Sequence, residues 1–373
     1  MRYRQFGKTN LQLSVFSLGT MRYLASAENA RQTIAKAVSL GINHIETARG
    51  YGKSEEYLGR AIASGLGLPR SQLYITTKIP PTADANYLQH CLDESLERLQ
   101  LDYIDCLAIH GINTWEHLKL VRDEGGIAAV QQAVKQGKVR HVGFSSHGSL
   151  ELIQAAIASD LFEFVSLHYY YFFQRHAPAI ELAKSKNLGI FIISPADKGG
   201  RLYTPPQTLK DICHPLTPLE LNYRFLLSDP GITTLSVGAA SAEELIEPLQ
   251  FGDRDEALTP VEIAAYQRLE AKLALDGQKC SQCYACLPCP EEINIPEILR
   301  LRNLAVAYDM REYGNYRYTM LENAGHWFPG NKGNRCTNCG DCLPRCPEQL
   351  NIPDLLADTH QKLNGAPRRR LWE

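Results

Sequence analysis

The sequence has no continuous apolar run of the length a bilayer-spanning helix needs, so a helical membrane anchor is not expected. Its first residues, MRYRQFGKTNLQLSVFSLG, alternate and turn where a signal peptide would be continuously apolar, and a cytoplasmic protein is expected. An excess of charge of either sign is lacking too. With 39 Lys and Arg against 41 Asp and Glu, the formal net charge is -2, which gives no global attraction to nucleic acid or to an anionic membrane. Neither is an expected partner. Compositional bias is also absent: 44% hydrophobic and 21% charged residues exclude a disordered chain or a rod. At 373 residues the chain exceeds twice the typical domain length, so two domains or one large fold with an appendage are expected.

Cysteine is scarce over most of the chain and dense near its end. Of 11 cysteines, Cys91, Cys106 and Cys213 are scattered, and the rest fall between Cys280 and Cys346. In a cytosolic setting such density points to metal or catalysis before disulfides. One run is CSQCYACLPCP, with Cys280, Cys283, Cys286 and Cys289. The other is CTNCGDCLPRCP, with Cys336, Cys339, Cys342 and Cys346. CPEEINIPEILRL is echoed by CPEQLNIPDLLAD, so one unit has been used twice, with Asn294 or Asn351 expected to cap a helix carrying Pro296 or Pro353 in its first turn.

Three cysteines at two-residue gaps, then a fourth and proline, resemble the ligand runs of bacterial two-cluster ferredoxins. In those proteins the fourth cysteine serves the other cluster. The resemblance therefore implies Cys280, Cys283, Cys286 and Cys346 around one 4Fe-4S cluster and Cys336, Cys339, Cys342 and Cys289 around a second. Two four-cysteine zinc sites are the competing reading.

Before the cysteines, apolar runs alternate with amphipathic stretches, which predicts a parallel sheet with helical crossovers. Strands are expected at FSLGT, NHIET, LYITTKI, YIDCLAIH, VRHVGFS, FEFVSLH, GIFIIS and TTLSVG, each followed by a helical pattern. Eight such units match a TIM (β/α)8 barrel, with RYRQFGKTNLQLSVF as a hairpin closing its bottom. A doubly wound sheet is the alternative, but no G-x-G-x-x-G turn follows a strand. The expected class is thus α/β, a barrel over residues 1-275 followed by a small, mainly α ferredoxin-like iron-sulfur domain over 276-373. Strand ends are where barrel chemistry gathers. They offer Glu46, then Tyr51 on the next loop, Lys78, His110, Ser145, Ser146, His168, Ser194 and Gly238.

INHIETARGYGKSEEYLG, ITTKI, YIDCLAIHGIN and VGFSSH, in that order, resemble the aldo-keto reductase family over essentially the first 275 residues. The whole chain resembles a branch of that family with a C-terminal ferredoxin-like domain carrying two 4Fe-4S clusters. The resemblance implies hydride transfer between NADPH or NADH and the carbonyl carbon of an aldehyde or ketone, with no metal in the barrel. It makes Tyr51 the general acid, Lys78 the cation that stabilises its phenolate character, and His110 the group orienting the substrate oxygen. Glu46 stands where the family has an aspartate paired to the lysine, with an arm one methylene longer.

For the nucleotide, the resemblance implies contacts from Ser145, Ser146 and His168, with Ser194 at the seventh strand end beside Ile193, which replaces a stacking tyrosine. Gly238, Ala239 and Ser241 follow the eighth strand, and Glu244 lies near the position of a basic residue that often meets the 2'-phosphate. NADH therefore stands level with NADPH. Arg201 is either a phosphate contact or a solvated loop arginine. YYYFF at Tyr169 to Phe173 is expected to be packing, and Arg368, Arg369 and Arg370 a solvated tail able to steer an acidic donor.

Hydride transfer moves two electrons whereas each cluster passes one, and no flavin site is readable between them. Three readings follow: a carbonyl reductase whose clusters bring, remove or sense electrons, with a ferredoxin-like partner; a reductase whose clusters hold a lid; and a redox sensor or electron-transfer adaptor that binds nicotinamide without efficient turnover.

Overall fold

The computed structural model describes residues 1-368, so Arg369 and Arg370 of the basic run lie outside the described residues. The described residues divide into two compact units, one of residues 1-199 with 222-257, the other of residues 200-221 with 258-368.

The first unit opens with an antiparallel hairpin, β1 (Tyr3–Gln5) and β2 (Gln12–Ser14). Eight parallel strands follow, at the positions where the sequence places them: β3 (Phe16–Gly19), β4 (His44–Glu46), β5 (Tyr74–Ile79), β6 (Ile104–His110), β7 (Val139–Ser146), β8 (Phe164–Leu167), β9 (Gly189–Ile192) and β10 (Thr234–Val237). They close in the order β10-β3-β4-β5-β6-β7-β8-β9, which excludes the open doubly wound sheet. Helices cover the outside of the barrel, so nearly all strand residues are buried, the polar ones at His44, Glu46, Thr76 and Lys78 included. Four of the helices begin at side-chain caps, at Ser26, Asp84, Thr114 and Ser149.

The hairpin drives Phe6 into the bottom of the barrel, against Leu13, Cys106, Ala108, Phe164 and Phe191. A side chain at residue 189 would collide with the Phe6 ring, its Cβ coming within 2.3 Å, so Gly189 is the residue that lets the plug seat. Above the plug lies a polar tier. The His44 ring bonds Ser17 Oγ through Nδ1 at 2.6 Å and Thr76 Oγ1 through Nε2 at 2.7 Å, and burial lowers its pKa to about 3.

The second unit is helical. Its central helix, Ile295–Tyr308, is buried on almost every side, and its charged residues are paired: Glu297 with Arg300 at 2.6 Å, and Arg302 with Asp276 at 2.8 Å. The helix Pro260–Ala274 also belongs to this unit, although cysteine density would put a boundary after it. The reason is polar contact: Arg268 donates to the carbonyls of Ile212 and His214, and Tyr308 donates to that of Leu269. Asn294 and Asn351 do stand at helix starts, each followed by proline, but neither makes a side-chain cap. Their amides donate instead, to Pro329 O at 2.9 Å and to Asp354. Among the described residues no helix is long and apolar enough to cross a membrane.

Candidate active site and cluster sites

Parallel register fixes which side chains share a level. Glu46 pairs with Thr76 across β4 and β5, and Lys78, two residues further, points to the same side as Thr76. The barrel therefore holds a polar tier at His44 and Thr76 with an ionic one above it. Lys78 and Glu46 are about 1% and 5% exposed and form a direct ion pair. The longer arm of glutamate thus reaches the lysine. Lys78 Nζ also donates to Thr47 O at 3.1 Å and to Tyr51 Oη at 3.3 Å. Three acceptors meet an ammonium group with three hydrogens.

Burial, and behind it the like charge of Lys198, pulls Lys78 well below the ordinary lysine value, and the contact with Glu46 opposes that pull. Tyr51 sits on a turn tied by Tyr51 N to Ala48 O at 3.0 Å, just ahead of the helix Ser54–Ala63. His110, the last residue of β6, meets its ring edge-on with centroids 5.7 Å apart. Tyr51 and His110 are half-buried where Glu46 and Lys78 are buried. This is a phenol backed by a buried lysine that is paired with a carboxylate, with an imidazole beside it.

The residues expected to grip a nucleotide are strongly engaged within the protein. Ser145 Oγ accepts from Gly111 N at 3.0 Å, while Ser146 Oγ donates to Ile112 O at 2.6 Å and accepts from Gly148 N at 3.0 Å. They tie the loop after β6 to β7. His168 is held through both ring nitrogens, Nδ1 to Tyr170 Oη and Nε2 to His147 Nδ1 at 3.1 Å. Tyr170 donates to the carbonyl of Ile193 at 2.5 Å. Because that carbonyl only accepts, Tyr170 Oη accepts from His168 Nδ1-H, and a neutral His168 then accepts from His147 Nδ1-H. The YYYFF segment is packing, with Tyr169 and Tyr171 both against Phe225.

Ser194, just past β9, takes the left-handed conformation with φ of 53°. After β10, Gly238 O accepts from Arg22 at 2.7 Å, and Arg22 holds Glu244 through two bonds of 2.7 and 3.2 Å. Glu244 also accepts from Ala240 N at 3.0 Å. Ala239 and Ser241 flank this knot. Arg201 lies in the second unit, its guanidinium 5.0 Å from the centroid of the Tyr316 ring. Sequence reasoning missed His147, Lys198 and Arg22. The first directly follows the two serines in VGFSSH, and the third follows the first barrel strand, so a rule taking two or three residues beyond each strand end would have found both.

In the second unit the cysteines sort into two sets. Cys280, Cys283, Cys286 and Cys346 line a small hollow with Leu299, Leu350 and Ile352. Cys289, Cys336, Cys339 and Cys342 line another with Ile293, Ile295 and Leu356. Each set draws three cysteines from one run and the fourth from the other. Left-handed residues Gln282, Tyr284, Asn338 and Gly340 bend the loops around the hollows. Four thiols lining one apolar hollow, three from one run and the fourth from the other, are the donor set a 4Fe-4S cluster needs. The three scattered cysteines, Cys91, Cys106 and Cys213, are buried.

A sequence profile described as the Aldo/keto reductase family matches residues 16–270, and one described as a 4Fe-4S dicluster domain matches residues 279–352. The chain is similar to an uncharacterised oxidoreductase of Bacillus subtilis (strain 168), 24% identical over 304 residues that cover 72% of this chain and 96% of that one. It is similar to L-galactose dehydrogenase of Arabidopsis thaliana, 27% identical over 319 residues that cover 76% and 93%. Among solved structures, the holo form of an aldo-keto reductase from Bacillus halodurans shares the fold, with a TM-score of 0.62 at 21% identity over 72% of this chain and 96% of that one.

Proposed function

The chain belongs to the aldo/keto reductase family, and from that premise we propose that it reduces an aldehyde or ketone with NADH or NADPH, Tyr51 giving the proton. The observation that carries this reading is the hydrogen bond from Lys78 Nζ to Tyr51 Oη at 3.3 Å, made by a cation that Glu46 keeps in place below it. The bound reduced nicotinamide supplies hydride to the carbonyl carbon. As the carbonyl π bond breaks, negative charge gathers on its oxygen, and Tyr51 delivers its proton there. The phenolate left behind is stabilised by Lys78, which is how a phenol with an ordinary pKa of about 10 serves as an acid near neutral pH. His110, beside the phenol, orients the carbonyl oxygen.

We assign the nucleotide side of the barrel mouth to Ser145, Ser146, His168, Ser194, Gly238, Ala239 and Ser241. Arg201 is left out because its guanidinium is held over Tyr316. The paired Arg22 and Glu244 beside Gly238 offer no unbalanced positive charge to a 2'-phosphate, so NADH serves at least as well as NADPH. The name of the Arabidopsis relative makes small sugar-like carbonyl compounds the first substrates to try. In the second unit, two 4Fe-4S clusters are assigned, one to each four-cysteine hollow. When bound they exchange single electrons.

The test is Tyr51→Phe in the cluster-loaded protein. Carbonyl reduction should fall by about 10² to 10⁴-fold, with iron unchanged at about eight atoms per chain. Turnover equal to the parent would remove Tyr51 from the mechanism, and zinc in place of iron would reject the cluster assignment.

A further inference from the structure

The two four-cysteine hollows are built from a repeated unit, yet their sulfurs are not treated alike. In exposure they match: Cys283 and Cys339 are exposed, Cys286 and Cys342 buried, and the other four are intermediate. In lining charge they balance as well. The first hollow has Glu348, while the second has Glu291 and Asp341 with Arg345 against them. Net charge, one of the main influences on a cluster's potential, therefore nearly cancels.

The hydrogen bonds do not cancel. Two residues after the first cysteine of each run stands an amide residue in the left-handed conformation, Gln282 with φ of 60° and Asn338 with φ of 58°. Gln282 Nε2 donates to Cys280 Sγ at 3.3 Å and to Pro296 O at 2.9 Å. The Pro296 carbonyl only accepts, which fixes the nitrogen of the Gln282 amide on that side and leaves its second hydrogen for the sulfur. Asn338 is one methylene shorter. It turns Oδ1, an acceptor, toward Cys336 Sγ at 3.8 Å. One sulfur receives an amide hydrogen and its counterpart faces a carbonyl oxygen.

We propose that the two clusters have unequal reduction potentials, with Gln282 setting the difference, so that the cluster among Cys280, Cys283, Cys286 and Cys346 takes the first electron. This rests on the assignment of a 4Fe-4S cluster to each hollow. An amide donor stabilises negative charge on the thiolate sulfur, and the reduced cluster carries more of it, so the bond raises the potential. Each reduction takes one electron from a low-potential one-electron donor, with no bond made or broken in the protein. The second cluster, beside an open depression formed by Pro288, Cys289, Pro290, Asp341, Pro344 and Arg345, is the one that releases its electron more readily.

The experiment is stepwise anaerobic reduction of the full-length, cluster-loaded protein by dithionite with mediators, followed by electron paramagnetic resonance. Iron and acid-labile sulfide are measured on the same samples. The parent should show two separate one-electron steps. Gln282→Asn should move only the earlier step to lower potential, by about tenfold in its equilibrium or about 59 mV. Asn338→Gln, which removes no donor, should raise the later step and narrow the gap. Coincident steps in the parent, or a gap unchanged in both variants, would overturn the proposal. Protein lacking iron and sulfide would instead overturn the cluster assignment, so the two failures are distinguishable.

Discussion

His44 shows at the level of one residue how the barrel interior tolerates polarity. Its ring nitrogens are both bonded inside the barrel, and burial, then the charge of Lys78, lowers its pKa from 6.5 to about 3. The folded protein therefore refuses a proton that the unfolded chain accepts below pH 6.5. Stability contributed by the neutral ring is complete above that pH and is lost as the pH falls toward 3, by about 1.4 kcal/mol per unit. Urea unfolding at pH 7.5 and 5.5 should show this slope in the parent and a reduced one in His44→Asn. Equal slopes would point to another group. Glu244 carries a second prediction at this scale. Its carboxylate covers Ala240 N-H and neutralises Arg22, so Glu244→Ala should release both for an anion. The ratio of KM for NADH to KM for NADPH should rise several-fold, with kcat nearly constant. An unchanged ratio would separate this loop from nucleotide choice.

The hairpin β1-β2 is a small element with a large packing role, since it delivers Phe6 to the barrel bottom at a place that only glycine at 189 leaves open. Phe6→Ala should destabilise the protein by about 3 to 5 kcal/mol through lost burial and a residual cavity, measured as a lower chemical-denaturation midpoint. Retained stability would mean the plug is dispensable. Elements of this kind were legible because their signal is local: each barrel strand is an apolar run, and Glu46, Tyr51, Lys78 and His110 follow from asking which polar residue ends each run. The asparagine caps were legible only as positions. Asn294 starts a helix, but its amide finds Pro329 O, a partner 35 residues away that no local pattern announces. Arg22 and Glu244, 222 residues apart, were hidden for the same reason. The sequence does carry both Gln282 and Asn338, but no local pattern announces that one donates to a sulfur while the other accepts from one.

Across the whole molecule, the residues proposed for hydride transfer and those proposed for the clusters fall in different compact units. Glu46, Tyr51, Lys78 and His110 all fall in the first, and all eight clustered cysteines in the second. That division was only partly visible beforehand. Cysteine density marks where the cluster loops begin, but residues 200-221 and the helix Pro260–Ala274 join the second unit through side-chain bonds to carbonyls, which composition does not register. The difference in electron count has a kinetic consequence. A hydride carries two electrons together, each cluster accepts one, and no flavin site is recognisable in the sequence to split the pair. Anaerobic addition of NADH or NADPH should therefore leave the cluster absorbance unbleached over many turnover times, while added aldehyde is reduced at its normal rate. Dithionite should bleach the same sample. If nucleotide alone bleaches the clusters as fast as aldehyde is turned over, the barrel and the cluster unit exchange electrons directly, and hydride transfer to a carbonyl cannot be the whole activity of the chain.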